Sequence, residues 1–192
     1  MTYSIIGAGN VGSALAHHFT RVEIPVGVAN SRGPQSLEAL RSQYVTPVAI
    51  EEALGADIII LATPFMARAA VSAASDKWKG KIIIDAMNTY GVPESELRGL
   101  PSSVVVSESF PGAHVVKSFN QLPAKLLAQN PGQGNGRRVM FVAGDDAAAV
   151  DQVRALADRL GFAPIVLGPL TGGGALIGMG GPLILKNLLA MQ

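Results

Sequence analysis

Ser4-Ile5-Ile6 runs directly into Gly7-Ala8-Gly9-Asn10-Val11-Gly12, placing three glycines at fixed spacing between an apolar run and an amphipathic one. The spacing predicts a strand, a tight turn and a helix carrying Val11, Leu15 and Phe19 on one face. Gly7 permits the turn, Gly9 lets the backbone come close to a bound group, and Gly12 lets the helix pack onto the strand. A helix that starts at such a turn presents free N–H groups and the positive end of its dipole, which suits an anion. Gly7, Gly9 and Gly12 are therefore expected to bring the turn against the pyrophosphate of a dinucleotide, against the plainer reading of a glycine turn with no ligand.

The rest of the chain continues the pattern. Strands are expected at 2–6, 25–29, 45–48, 57–62, 81–85, 114–119, 138–143 and 163–167. Several are continuous Ile/Val runs, as in a parallel sheet covered on both faces. Helices are expected at 34–43, with Pro34 in the first turn and Leu37 and Leu40 inward, and at 146–160. The second has Asp145 as its cap, a stripe of Val150, Val153, Ala157 and Leu160, and Gly161 as its stop. Segment 102–110 is locally strand-like, yet its place between two strands favours a crossover helix. Alternating strands and helices predict an α/β fold with a doubly wound, mostly parallel sheet, the Rossmann NAD(P)-binding fold. One domain is expected over 1–192, with a helical C-terminal extension over about 169–192. Segment 130–136 reads as an exposed turn.

Composition narrows the chemistry. Fifteen Lys and Arg stand against fourteen Asp and Glu, so the concentrated basic surplus of a nucleic-acid footprint is missing. No cysteine is present, which removes disulfides, thiolate catalysis and thiolate metal sites. His17, His18 and His114 are too few and too scattered to suggest a metal site, and packing or surface roles are expected for them. No targeting segment is read at the start, so a cytoplasmic location is expected. The charge-free stretch from Leu160 to Leu185 is interrupted by Pro164, Pro169, Pro182 and many glycines, so no membrane span is expected.

The end of the second strand should select the cofactor. A site for NAD places a carboxylate there for the ribose hydroxyls; this chain has Asn30-Ser31-Arg32. A carboxylate would repel a 2′-phosphate, whereas Ser31 donates a hydrogen bond and Arg32 offers a fork of donors and a flat face for adenine. The reading is NADP, against the plainer one that Ser31 and Arg32 only begin the Pro34 helix. The fourth strand ends in Ala62-Thr63-Pro64-Phe65 and the fifth in Asp85-Ala86-Met87-Asn88. Ligands bind outside such carboxyl ends. Pro64 also suits a strand-to-helix junction, and Asp85 could serve only as a cap. Lys117 lies on a strand near the same level, where pairing or solvation is the ordinary role of a lone lysine.

These motifs, with Val115-Val116-Lys117-Ser118-Phe119-Asn120 and Gly168-Pro169-Leu170, occur in the order seen in deazaflavin-coenzyme-dependent NADP oxidoreductases, a family this chain resembles over nearly its whole length. The module is also similar to the cytoplasmic NADPH-binding domain of the six-transmembrane ferric reductases. The resemblance implies NADP held by the glycine loop (Gly7, Gly9, Asn10, Val11 and Gly12) with Asn30, Ser31 and Arg32. It places Ala62, Thr63, Pro64, Ala86 and Asn88 along the cofactor, with Met87 and Asn120 bordering the substrate pocket. It also implies hydride exchange with a small-molecule acceptor or donor of deazaflavin or flavin type. Direct hydride transfer needs no catalytic side chain and no metal, since the cofactor carries the chemistry. Two other readings stay open: an imine reductase resembling pyrroline-5-carboxylate reductase, and a non-catalytic NADPH-binding redox sensor. The glycine-rich segment from Leu170 to Gly181 departs from the family pattern; it is expected either to close the pocket or to form a homodimer seam.

Overall fold

The computed structural model describes residues 1–191. Ten strands occupy Tyr3–Ile6 (β1), Val26–Ala29 (β2), Val45–Pro47 (β3), Ile58–Leu61 (β4), Ile82–Asp85 (β5), His114–Ser118 (β6), Gly132–Gln133 (β7), Gly136–Gly144 (β8), Ala163–Val166 (β9) and Leu189–Met191 (β10). The α-helices are Asn10–Arg21 (α1), Ile50–Ala53 (α2), Arg68–Ala73 (α3), Glu94–Leu97 (α4), Ser102–Ser109 (α5), Ala124–Leu127 (α6), Ala147–Arg159 (α7) and Gly173–Ile177 (α8). Across the sheet the strands run β10-β8-β6-β5-β4-β1-β2-β3, with β7 and β9 also paired to β8. From β3 to β6 all neighbours are parallel. The long β8 then runs antiparallel to β6 and parallel to β9. The strand order reverses beside β1, so the crevice of this α/β sheet opens above β1 and β4.

The Ile/Val runs serve both faces at once. Ile58 and Ile60 of β4 join a core formed with Leu15, Phe19, Val153 and Phe162, whereas Ile59 and Leu61 join Trp78, Val106 and Phe110 on the opposite face. Successive side chains of a strand point to opposite faces, and here both faces are covered by helices. Trp78 is 2% exposed and meets Phe110 edge-on at 4.8 Å, with its indole N–H donating to Ser72 O at 3.2 Å. Such an aromatic pair contributes about 0.5–1.5 kcal/mol beyond its area. The apolar stripe expected on α7 is buried, and Gly161 ends that helix at φ 94°. Segment 102–110 is helical, as its place in the chain order required.

A side chain repairs the sheet where the ladder breaks. β6 last pairs β8 at Ser118 and Val142, and β10 takes over at Arg138. Between them the buried Gln121 amide accepts the Phe141 N–H at 2.8 Å and donates to Val139 O at 3.0 Å. Each buried strand group left unpaired would cost about 1–3 kcal/mol.

Three local expectations are corrected. The 34–43 helix is a 3-10 helix over Pro34–Leu40. The Ser42 hydroxyl ends it by accepting the N–H groups of Tyr44 and Val45, so the chain can turn into β3. The cap of α7 is Asp146, which accepts the Ala149 N–H at 2.8 Å; Asp145 accepts the Leu170 N–H instead. The helix expected over 169–192, of which residue 192 lies outside the described residues, is confined to α8, beyond which Gly178, Gly180 and Pro182 break the pattern and residues 189–191 form β10. The small residues there serve contact between elements: a Cβ on Gly174 would lie 2.4 Å from Ser103 Oγ, so α8 packs closely on α5 at this glycine.

Candidate functional site: a cleft at the carboxyl edge of the sheet

The turn from β1 into α1 is built by close approach. Gly7 has φ 106°, and a Cβ on it would stand 2.4 Å from the Ala62 carbonyl oxygen. A Cβ on Gly12 would stand 1.8 Å from Gly7 O. Nothing lies within 4 Å of a Cβ built on Gly9, which faces open space. Gly9 caps α1 without a side chain, and the first turn carries no acidic residue. The helix thus offers its leading N–H groups uncovered and with no competing negative charge.

A cavity of about 490 Å³ opens at this turn, lined by Gly7, Ala8 and Gly9, by Asn30, Ser31 and Arg32, and by Ala62, Thr63 and Pro64. Three segments far apart in sequence meet there because β2, β1 and β4 are neighbours in the sheet. Ile50, Ala67, Ala70, Val71 and Ala74 form an apolar wall that motif reading did not find. Its only trace in the sequence is the small and apolar side chains of 67–74, which read as ordinary packing. Asn30 shapes the loop: its Oδ1 accepts the Arg32 N–H at 2.8 Å, and its Nδ2 donates to Ser36 Oγ at 2.9 Å. Ser31 and Arg32 are exposed, and Arg32 forms no ion pair among the described residues. Its guanidinium is free for a phosphate.

Ala86, Met87, Asn88 and Asn120 gather beyond this cavity, at the ends of β5 and β6. Met87 and Asn120 are each 2% exposed, and Ala86 is 4% exposed. Asn88 Nδ2 donates to Asn120 O at 2.9 Å, and Asn120 Nδ2 donates to Asn88 Oδ1 at 3.1 Å and to Ile177 O at 2.6 Å. The last bond ties α8 over this corner. Phe119, directly before Asn120, is fully buried at φ 61°, a left-handed conformation that a bulky residue adopts only when its surroundings impose it. Asn10, Val11 and Gly12 sit on the first turn of α1, behind the loop that lines the cavity.

Lys117 and Asp85 are paired inside the protein. Both are essentially fully buried, with Lys117 Nζ 3.0 Å from Asp85 Oδ2. His18 packs between α1 and α6: its Nε2–H donates to the Leu127 carbonyl, and its ring lies edge-on to Phe162 at 5.1 Å. Burial holds its pKa below the usual 6.5, opposed by the Leu127 bond and assisted by Arg21 and His17. Among the described residues no cluster of His, Asp and Glu could hold a metal ion, and no helix is long and apolar enough to cross a membrane.

The residues present fit a phosphorylated dinucleotide. The cleft is open at Gly9, has a free cation at its far end, and its lining includes no carboxylate to repel phosphate. Comparison with known proteins agrees. The chain is 44% identical to the hypothetical protein SMa0349 from Sinorhizobium meliloti, whose crystal structure superposes with TM-score 0.93 over 99% of this chain and 96% of that one. A protein described as an F420-dependent NADP reductase, from Arthrobacter sp. FB24, matches at 26% identity and TM-score 0.71, over 89% of this chain and 86% of that one. Metalloreductase STEAP3 of Rattus norvegicus is 28% identical over 167 residues, which is 86% of this chain and 33% of the reductase, so the chain spans about a third of that relative. Residues 2–89, from β1 through the turn that follows β5, match the family model described as NADP oxidoreductase, coenzyme F420-dependent. Over that span the chain is similar to this family, and NADP is its cofactor.

Proposed function

We propose that this protein transfers a hydride between NADP(H) and a flat deazaflavin or flavin-type acceptor, as a cytoplasmic enzyme. The observation that carries this reading is the meeting of the glycine turn, the Asn30–Arg32 loop and the Ala62–Pro64 strand end around one cleft. In it the free N–H groups of α1 hold the pyrophosphate and Arg32 with Ser31 holds the 2′-phosphate. The apolar wall of Ile50, Ala67, Ala70 and Val71 receives the adenine. The nicotinamide supplies the hydride. Ala86 to Asn88, with Asn120, border that end and keep it dry, which favours transfer between closely stacked rings over reaction with water.

Ala86, Met87, Asn88 and Asn120, proposed to border the nicotinamide end, include no imidazole, carboxylate or lysine. That suits hydride transfer between two rings better than carbonyl or imine reduction, where a positioned acid helps. The test is NADPH oxidation at 340 nm with deazaflavin coenzyme, FMN, FAD, a quinone and a cyclic imine offered separately. Turnover with deazaflavin or flavin supports the reading. Turnover confined to the imine replaces it with an imine reductase, and tight NADPH binding without turnover of any acceptor replaces it with a sensor.

We also propose that the chain self-associates. Leu176, Met179, Leu185, Leu188 and Leu189 are all exposed, and a concentration of apolar surface in one segment is unusual on a monomer. Light scattering at micromolar concentration should give twice the chain mass; a monomer rejects the idea.

A further inference from the structure

The buried Lys117–Asp85 pair takes no part in holding the cofactor as described above. Asp85 and Lys117 are direct register partners on β5 and β6, so their side chains leave the sheet on one face. They are 0% and 1% exposed. Replacing such a pair by two well-packed apolar residues is often neutral or stabilising, so strand cohesion alone does not account for it.

What apolar residues could not do is grip a peptide. Asp85 Oδ1 accepts the Met87 N–H at 3.0 Å, while Lys117 Nζ donates to the Met87 carbonyl at 2.5 Å as well as to Asp85 Oδ2 at 3.0 Å. Both backbone polar groups of the residue that leaves β5 are therefore held by one ion pair. Thr63 Oγ1 reaches Met87 Sδ at 3.4 Å from the neighbouring strand end, and Asn88, the next residue, exchanges hydrogen bonds with Asn120. The turn that borders the hydride end of the cleft is thus fixed to β4, β5 and β6 together, with the ion pair at the centre.

We infer that Lys117 and Asp85 are positioning residues: they set the place of the Met87–Asn88 turn, and through it the fit of the nicotinamide half of NADPH. This rests on the function proposed above. Adenine-half binding, handled by β1 and β2, should be independent of the pair.

The experiment compares affinities by calorimetry for NADPH and for 2′-phosphoadenosine diphosphoribose, which lacks nicotinamide. The proteins are wild type, Lys117→Met, Asp85→Asn and the double variant Asp85→Leu/Lys117→Met. Each variant should hold the truncated ligand within about twofold of wild type and lose at least fivefold in affinity for NADPH. The fluorescence of bound NADPH should also shift toward that of the free cofactor. The double variant should unfold at or near the wild-type temperature, since two apolar residues replace the pair. Should either Lys117 variant fail to fold, Asp85→Asn decides, because it sets an amide N–H against the ammonium and disturbs the same grip. A folded variant that keeps the wild-type ratio of the two affinities overturns the positioning role. Wild-type protein that does not bind NADPH overturns the proposed function itself.

Discussion

Arg32 is exposed and carries no ion pair among the described residues, so its loss should be felt by the ligand and hardly by the fold. Hydrogen bonds to charged groups are worth about 1.5–3 kcal/mol, or roughly ten- to hundredfold in affinity. Arg32→Ala should weaken NADPH by that factor and leave NADH nearly unchanged in parallel titrations. Equal losses for both would mean the residue only shapes the loop. The glycines divide in the same way. Gly9→Ala adds a methyl into open space, so the melting temperature should stay and NADPH affinity fall. Gly12→Ala drives a methyl onto Gly7 O, 1.8 Å away. Overpacking of that kind costs about 1–3 kcal/mol, so stability and affinity should fall together in thermal melts and titrations. All three residues were legible in the sequence because their chemistry depends on the local chain. The Lys117 and Asp85 contacts were not, because nothing near Lys117 in sequence announces that Asp85, on another strand, stands beside it.

The ends of α7 were read from sequence to within a residue, and that residue mattered. Asp145 and Asp146 are equally good caps by type; only the geometry gives Asp146 to Ala149 and Asp145 to Leu170. A lost cap costs about 0.5–2 kcal/mol. Asp146→Ala should therefore lower the melting temperature by about 2–4 °C per kcal/mol in a domain of this size, with faster amide exchange confined to the first turn of α7. Asp145→Ala should speed exchange at Leu170 and leave that turn protected. The C-terminal element was misjudged for a similar reason. Leu170 to Met191 is apolar enough for a helix, but β8 offers a free edge at Gly136–Arg138, and the pairing of Leu189 to Met191 with that edge wins. Sequence pattern cannot report a vacant edge, since it is created by where β6 stops.

At the scale of the whole molecule, His18 links the pH of the solution to the packing of α1 on α6. Burial lowers its pKa in the folded state, so the unfolded chain binds the proton first. Stability from this group is full above the unfolded value of about 6.5 and falls as the pH drops below it. Unfolding followed by Trp78 emission, from an indole that is 2% exposed, should show this decline from pH 7 to 5. His18→Gln should flatten it while lowering stability overall, and an unchanged slope would place the proton elsewhere. The sequence by itself determined the parallel α/β order, the carboxylate-free Asn30–Arg32 loop at the end of β2 and the glycine turn, because each follows from periodicity, charge or steric demands within a few residues. Tertiary structure alone decided the apolar wall of the cleft, the grip on Met87, the Gln121 repair of the ladder and the fate of the C-terminal segment. Each of those joins elements distant along the chain, and their partners are chosen by strand order and burial.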